Sequence, residues 1–189
     1  RQKGKVGALD YRVEFYHQFG DACGDACGTY AYTNEANDSD VERDAQMFGI
    51  RVGKTFKNAS MSPTITLWYD FLSGTEDGDV TAGEYATFDT IQDTGHKFYG
   101  FMDHYLARNG GKENRLGLQD IAIKTKFKPK AGWIFKADFH KFLTDVDLGD
   151  NATIAAIAQN SKTPGTAVDW SKDLGSEIDL TLVHKYSSN

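Results

Sequence analysis

Long apolar runs are missing from this chain of 189 residues. No stretch approaches the ~20 residues that a membrane-spanning helix needs, which excludes a helical membrane protein. A membrane barrel is not excluded, because its strands need only about 9–11 alternating residues. Surplus positive charge is missing as well, and a net charge of −6 argues against a nucleic-acid partner. Cysteine is nearly absent. Cys23 and Cys27 stand in GDACGDACG without the second pair or the adjacent histidines that zinc sites usually show. A small disulfide-closed loop in an oxidising compartment is the expectation, with two free thiols as the alternative. No signal peptide is visible and the chain begins at Arg1, so a mature or truncated product is the simpler reading.

What is present is alternation. In LGSEIDLTLVHKY (174–186), Leu174, Ile178, Leu180, Leu182 and Tyr186 share one parity, and Glu177, Asp179, Thr181 and Lys185 share the other. A period of two marks a strand whose faces meet unlike surroundings. The same pattern runs through LDYRVEFYHQF, FGIRVGKTF, TITLWYDF, DIAIKTKF and WIFKADFHKF. No segment sustains a helical period, so the fold class is all-β.

The connections between these segments are unequal. Lys57–Ser60 and Lys128–Gly132 are tight, while 20–43, 73–116 and 143–173 are long and rich in Gly, Asp, Asn and Thr. Short periplasmic turns alternating with long extracellular loops characterise outer-membrane barrels. The alternation holds only if 73–116 is one connection. GHKFYGFMDHYL (95–106) reads as an excursion folded back toward the pore mouth, with an ordinary seventh strand as the alternative.

Aromatics weigh on whether the apolar parity meets lipid or a core. Phe15, Phe19, Phe48, Phe56, Tyr69, Phe71, Phe127, Trp133, Phe135, Phe139 and Tyr186 all lie on it, many toward strand ends, where interfacial girdles form. The opposite parity carries charge, as a wet lumen would. The residues expected to line a pore are Arg12, Glu14, Arg51, Asp70, Lys124, Lys126, Lys136, Asp138, His140, Glu177 and Asp179. A soluble β-sandwich or lipocalin-like binding module is the alternative. If Phe127 pairs with Trp133 across the 128–132 turn, Lys124 lies opposite Lys136.

YDFLSG (69–74), HKFYGFMD (96–103), LGLQDIAIK (116–124), ADFHKF (137–142) and LGSEIDLTLVHKY (174–186) resemble, in that order, the alginate-export family of outer-membrane β-barrels. The likeness covers roughly residues 60–186. It implies a larger antiparallel transmembrane β-barrel in a Gram-negative outer membrane, a channel passing an anionic polysaccharide or other polar solute, and no enzymatic activity. Six crossings cannot close a bacterial barrel, which needs about eight or more. Residues 1–189 are therefore read as one incomplete barrel domain lacking strands at both ends. The expected inward charges are Arg12, Arg51, Lys124, Lys126, Lys136 and Lys185 against Asp10, Glu14, Asp70, Asp120, Asp138, Glu177 and Asp179, a balance that singles out no polyanion.

Alternative roles rest on weaker patterns. A structural or adhesive barrel, binding a partner through its long loops, is the second functional reading. No phosphate loop, Ser–His–Asp set or paired HxxxH spacing occurs. His17, His96, His104, His140 and His184 are scattered, as polar residues of a lumen or of loops. Asp138, Glu177 and Asp179 could pair for acid–base work, although carboxylates facing water in a pore are commoner. TEDGD (75–79) and DVDLGDN (145–151) carry closely spaced oxygen ligands of the kind Ca²⁺ takes, without an EF-hand pattern, and no cofactor is otherwise expected.

Overall fold

All six alternating segments are strands in the computed structural model, which describes residues 1–21, 41–90, 98–103, 116–147, 149–150 and 171–186. In chain order the elements are β1 (Gln2–Val6), β2 (Leu9–Asp21), β3 (Glu42–Thr55), β4 (Thr64–Leu72), α1 (Asp77–Ala82), β5 (Glu84–Tyr85), β6 (Leu118–Phe127), β7 (Trp133–Leu143) and β8 (Asp173–His184). Strand β1 was not legible, because QKGKV offers Val6 as its one large apolar side chain and so shows no alternation.

The strands form one sheet in the order β1-β2-β3-β4-β6-β7-β8, every neighbouring pair antiparallel, with the two-residue β5 parallel to the start of β3. Along this path each strand lies beside its predecessor, an up-and-down meander. Strands β1 and β8 are the edges of an open sheet. Connections 7–8, 56–63 and 128–132 are short and lie at one end, whereas 22–41, 73–117 and 144–172 are long and lie at the other. Strand β4 pairs directly with β6, from Thr64↔Lys126 to Leu72↔Leu118, so 73–117 is a single connection. Within the 95–106 segment, the described residues 98–103 form no strand.

Burial is inverted relative to a soluble sheet. Ile178, Leu180 and Leu182 are 69%, 66% and 63% exposed, and Phe15, Leu67, Ile121 and Ile123 are exposed with them. Across the same strands Glu14, Arg51, Asp70, Asp120, His140, Glu177 and Asp179 are all buried. Exposed apolar patches and buried polar groups are the informative departures from ordinary burial. Together they fit a sheet whose outer surface meets lipid and whose inner surface is polar. A soluble module would bury Ile178 and Leu180.

A small apolar cluster sits where the long connections meet the polar face. Leu72, Leu118 and Phe142, which end β4, β6 and β7 on that face, are buried with Tyr99, and Met47, Phe88, Phe98 and Leu174 pack around them. The connections fold over the strand ends here. Helix α1 belongs to this cap and explains TEDGD locally. Glu76 precedes the helix, its amide donates to Asp79 Oδ2 at 2.7 Å, and Asp77 and Asp79 lie in the acid-favouring first turn.

Candidate functional site

The ladder registers align the polar residues into rows. One row runs Lys3, Arg12, Arg51, Trp68, Ala122, His140, Glu177 from β1 to β8. Toward the long connections the next is Glu14, Gly49, Asp70, Asp120, Phe142. Toward the short turns come Lys5, Asp10, Gly53, Thr66, Lys124, Asp138, Asp179, and then Thr55, Thr64, Lys126, Lys136, Thr181. Every residue expected to line a pore therefore lies on one face.

Arg51 organises the middle of that face. Its guanidinium donates to Glu14 Oε2 at 3.0 Å and to both Asp70 oxygens at 3.1 and 3.2 Å, and lies 3.6 Å from the Trp68 ring centroid. Trp68 Nε1 also donates to Asp70 at 2.8 Å, so the carboxylate is bridged by two donors. Arg12 pairs with Glu14 as well, and Arg1 approaches it at 3.1 Å. Gly49 makes room, because a Cβ there would stand 2.7 Å from Asp70 Oδ1. A planar guanidinium suits this combination of two carboxylates and an aromatic face better than a lysine would.

Asp70 and Asp120 lie directly opposite one another, both fully buried. Like charges in that position repel. The sheet answers with a separate cation or donor for each, Arg51 for Asp70 and His140 for Asp120, whose oxygens lie 2.8 and 3.0 Å from His140 Nδ1. His140 is buried and its ring stacks on Phe142 at 5.5 Å. Its Nε2 faces Asp179 Oδ2 at 3.9 Å, beyond hydrogen-bond reach, and neither atom has a hydrogen-bond partner among the described residues. A carboxylate–imidazole pair is two members of a nucleophilic triad, but among the described residues no hydroxyl or thiol is bonded to Nε2.

The hairpin register differs from the expected one. Phe127 pairs with Phe135, not Trp133, which sets Lys124 opposite Asp138 and Lys126 opposite Lys136. The 128–132 turn is followed by a wider opening in which Trp133 N bonds Lys130 O at 3.0 Å, so Trp133 falls outside the ladder to β6. Lys124 Nζ is 3.7 Å from Asp138 and 4.6 Å from the Trp68 centroid, and is thus already committed on two sides.

Near the β1 edge the face opens into a cleft of about 550 Å³. Arg1, Lys3, Lys5, Arg12 and Arg51 line it, with Gly53, Thr64 and Thr66 as part of the wall and Asp10 its one acid among the described residues. Asp10 is bridged to Lys5 at 2.9 Å, which leaves the cleft net cationic.

The family model for alginate export matches residues 1–189. The chain belongs to the alginate-export family. No curated protein and no solved structure matches it. The match extends the resemblance of residues 60–186 over β1, β2 and β3, the strands that build the cationic cleft.

Sequence reasoning missed four contributors to the site of this alginate-export chain. Arg1, Lys3 and Lys5 were missed because their strand lacks an apolar pattern. Pairing Lys3 with Arg12 and Lys5 with Asp10 shifts the face from a near balance to an excess of cations. Trp68 falls on the polar parity of TITLWYDF, but nothing in the spacing shows it as the plate beneath Arg51 and Lys124. Its position beside Asp70, in a strand whose other aromatics all lie on the opposite parity, was the available signal.

Of the two acidic stretches considered for Ca²⁺, Asp79 caps α1, and Asp145 Oδ2 accepts from Gly74 N at 3.0 Å. Burial pushes the Asp145 carboxyl up, against the pull of the Gly74 amide and Lys172. Asp147 Oδ1 accepts from Gly149 N, and residues 148 and 151 lie outside the described residues. Among the described residues no group of three or more His, Cys, Asp or Glu could hold a metal ion. Cys23 and Cys27 also lie outside the described residues.

Proposed function

We propose that this chain forms part of the wall of a channel in the outer membrane of a Gram-negative bacterium, passing a polar, anionic solute or polysaccharide. The observation that carries this reading is one sheet with lipid-compatible and water-compatible faces, the latter holding a cationic cleft between Arg1, Lys3, Lys5, Arg12 and Arg51. Lysine and arginine on a pore wall select anions by lowering their energy of entry. Outer-membrane lipid is the partner of the apolar face, and the long connections face outside. The role is conduction, without catalysis.

The test is conductance, in planar bilayers under a salt gradient, of the purified closed barrel of which these strands form part. Anion-selective current is expected, and Lys3→Glu with Lys5→Glu should move the reversal potential toward cation selectivity. Both side chains are exposed at the sheet edge, so the substitutions should leave folding intact. A folded protein that never conducts would sink the channel and favour an adhesive barrel. Extraction without detergent would sink the membrane reading altogether.

A further inference from the structure

Residues 98–103 cross the polar face as a strap. Phe98 packs on Trp68 of β4 at 6.4 Å between ring centroids and lies 5.8 Å from the Arg51 guanidinium of β3. Tyr99 is buried among Leu72, Leu118 and Phe142, which belong to β4, β6 and β7. The strap then reaches β8, where Phe101 N and Met102 N both donate to Glu177 Oε1, at 2.6 and 2.9 Å. Six residues thus span the face from β3 to β8, over the Asp120–His140 pair.

Two features show how closely the strap is fitted to Glu177. Gly100 lies against the Glu177 carboxylate, which a Cβ at this position would overlap. The backbone is also strained: Tyr99 and Asp103 hold left-handed φ of 58° and 55°, and Gly100 holds 82°. Such conformations in non-glycine residues persist only where surrounding contacts over-determine them, and they cluster at clamps and switches. Two adjacent N–H groups converging on one oxygen form an anion-binding concavity, here filled by the protein's own carboxylate.

We propose that residues 98–103 are an internal strap narrowing the channel, that Glu177 is the pin that holds it, and that losing the pin widens the conducting path. The proposal rests on the channel reading. A pin of this kind acts through hydrogen bonding, not through lumen charge, and the two are separable. Glu177→Ala removes the charge, the acceptor of the Met102 amide and one of the two carboxylates at the Phe101 amide, Asp179 being the other, whereas Glu177→Gln removes the charge but keeps an acceptor oxygen for both amides.

Amide hydrogen exchange and bilayer conductance of the intact protein test it together. With Glu177→Ala, exchange at Phe101 and Met102 should rise about tenfold or more, as expected for leaving amide donors without their acceptor. Single-channel conductance should rise in the same variant. Glu177→Gln should stay near wild type in both readouts. Gly100→Ala, acting from the other partner, should reproduce Glu177→Ala, and the double variant should add nothing further. Equal effects of Ala and Gln would make Glu177 a lumen charge only and overturn the pin. Unchanged exchange in folded Glu177→Ala or Gly100→Ala would overturn the strap. Exchange that rises without any change in an active channel would show that the strap does not narrow the path, and a silent wild type would sink the channel reading itself.

Discussion

The two faces of each strand are built from neighbouring residues and obey opposite rules. On β8, Leu180 is two-thirds exposed on a surface of Ile, Leu and Phe, while Asp179 beside it is buried. The outer face is held together by similarity, because any apolar side chain serves against lipid. The inner face is held together by complementarity: Glu14, Asp70 and Asp120 are tolerable only with Arg12, Arg51 and His140 where they stand. Substitutions on the outer face should therefore be graded by polarity and depth, and those on the inner face by which partner they orphan.

The largest effect should come from orphaning. Arg51→Ala leaves Glu14 and Asp70 without the cation between them, and breaking a buried pair costs about 3–5 kcal/mol. Urea unfolding followed by tryptophan fluorescence should show the lowered midpoint. A shift of about 1 kcal/mol or less would mean that water already screens the network.

Next comes the contrast between adjacent positions on β8. Leu180→Arg puts a charge on the apolar face, at a cost of about 2–4 kcal/mol if that position lies near the bilayer midplane. Thr181→Arg points it inward, where Thr181 is only half-buried opposite Lys136, and should cost about 1 kcal/mol or less. Assembly yield and heat-modifiable mobility on gels would check this. Equal damage by the two, or a reversed order, would overturn the assignment of faces.

The smallest stability effect, and the sharpest functional one, concerns Lys126 and Lys136. They face each other across β6 and β7 toward the short turns, half-buried and exposed respectively. Replacing both with Glu keeps a like-charge pair, so the change in stability should stay within about 1 kcal/mol. Ion selectivity in bilayers should shift toward cations. Unaltered selectivity in the folded double variant would remove the pair from the conduction path.

These contrasts mark what could be read without coordinates. Alternation in the six segments was legible because parity is a local property, fixed by the backbone pleat. The loop-length pattern gave the single 73–117 connection for the same reason: antiparallel neighbours must alternate ends. Strand β1 was hidden because Lys3 and Lys5 alternate with Gly4, leaving no apolar contrast to detect. The hairpin register was missed by two residues, since the turn's hydrogen bonding, and not strand composition, sets where pairing begins.

Sequence alone determined the fold class, the face of most residues in the six alternating segments, and the family resemblance. Each of these depends on spacing along the chain. Only the tertiary structure decided that Arg51 lies between Glu14 and Asp70, that Lys124 belongs to Asp138, and that Glu177 holds the 98–103 strap. Those pairings join residues up to 76 positions apart, and they follow from strand register and loop path. Neither is written in the alternation, because sliding a strand by two residues preserves every face and changes every partner.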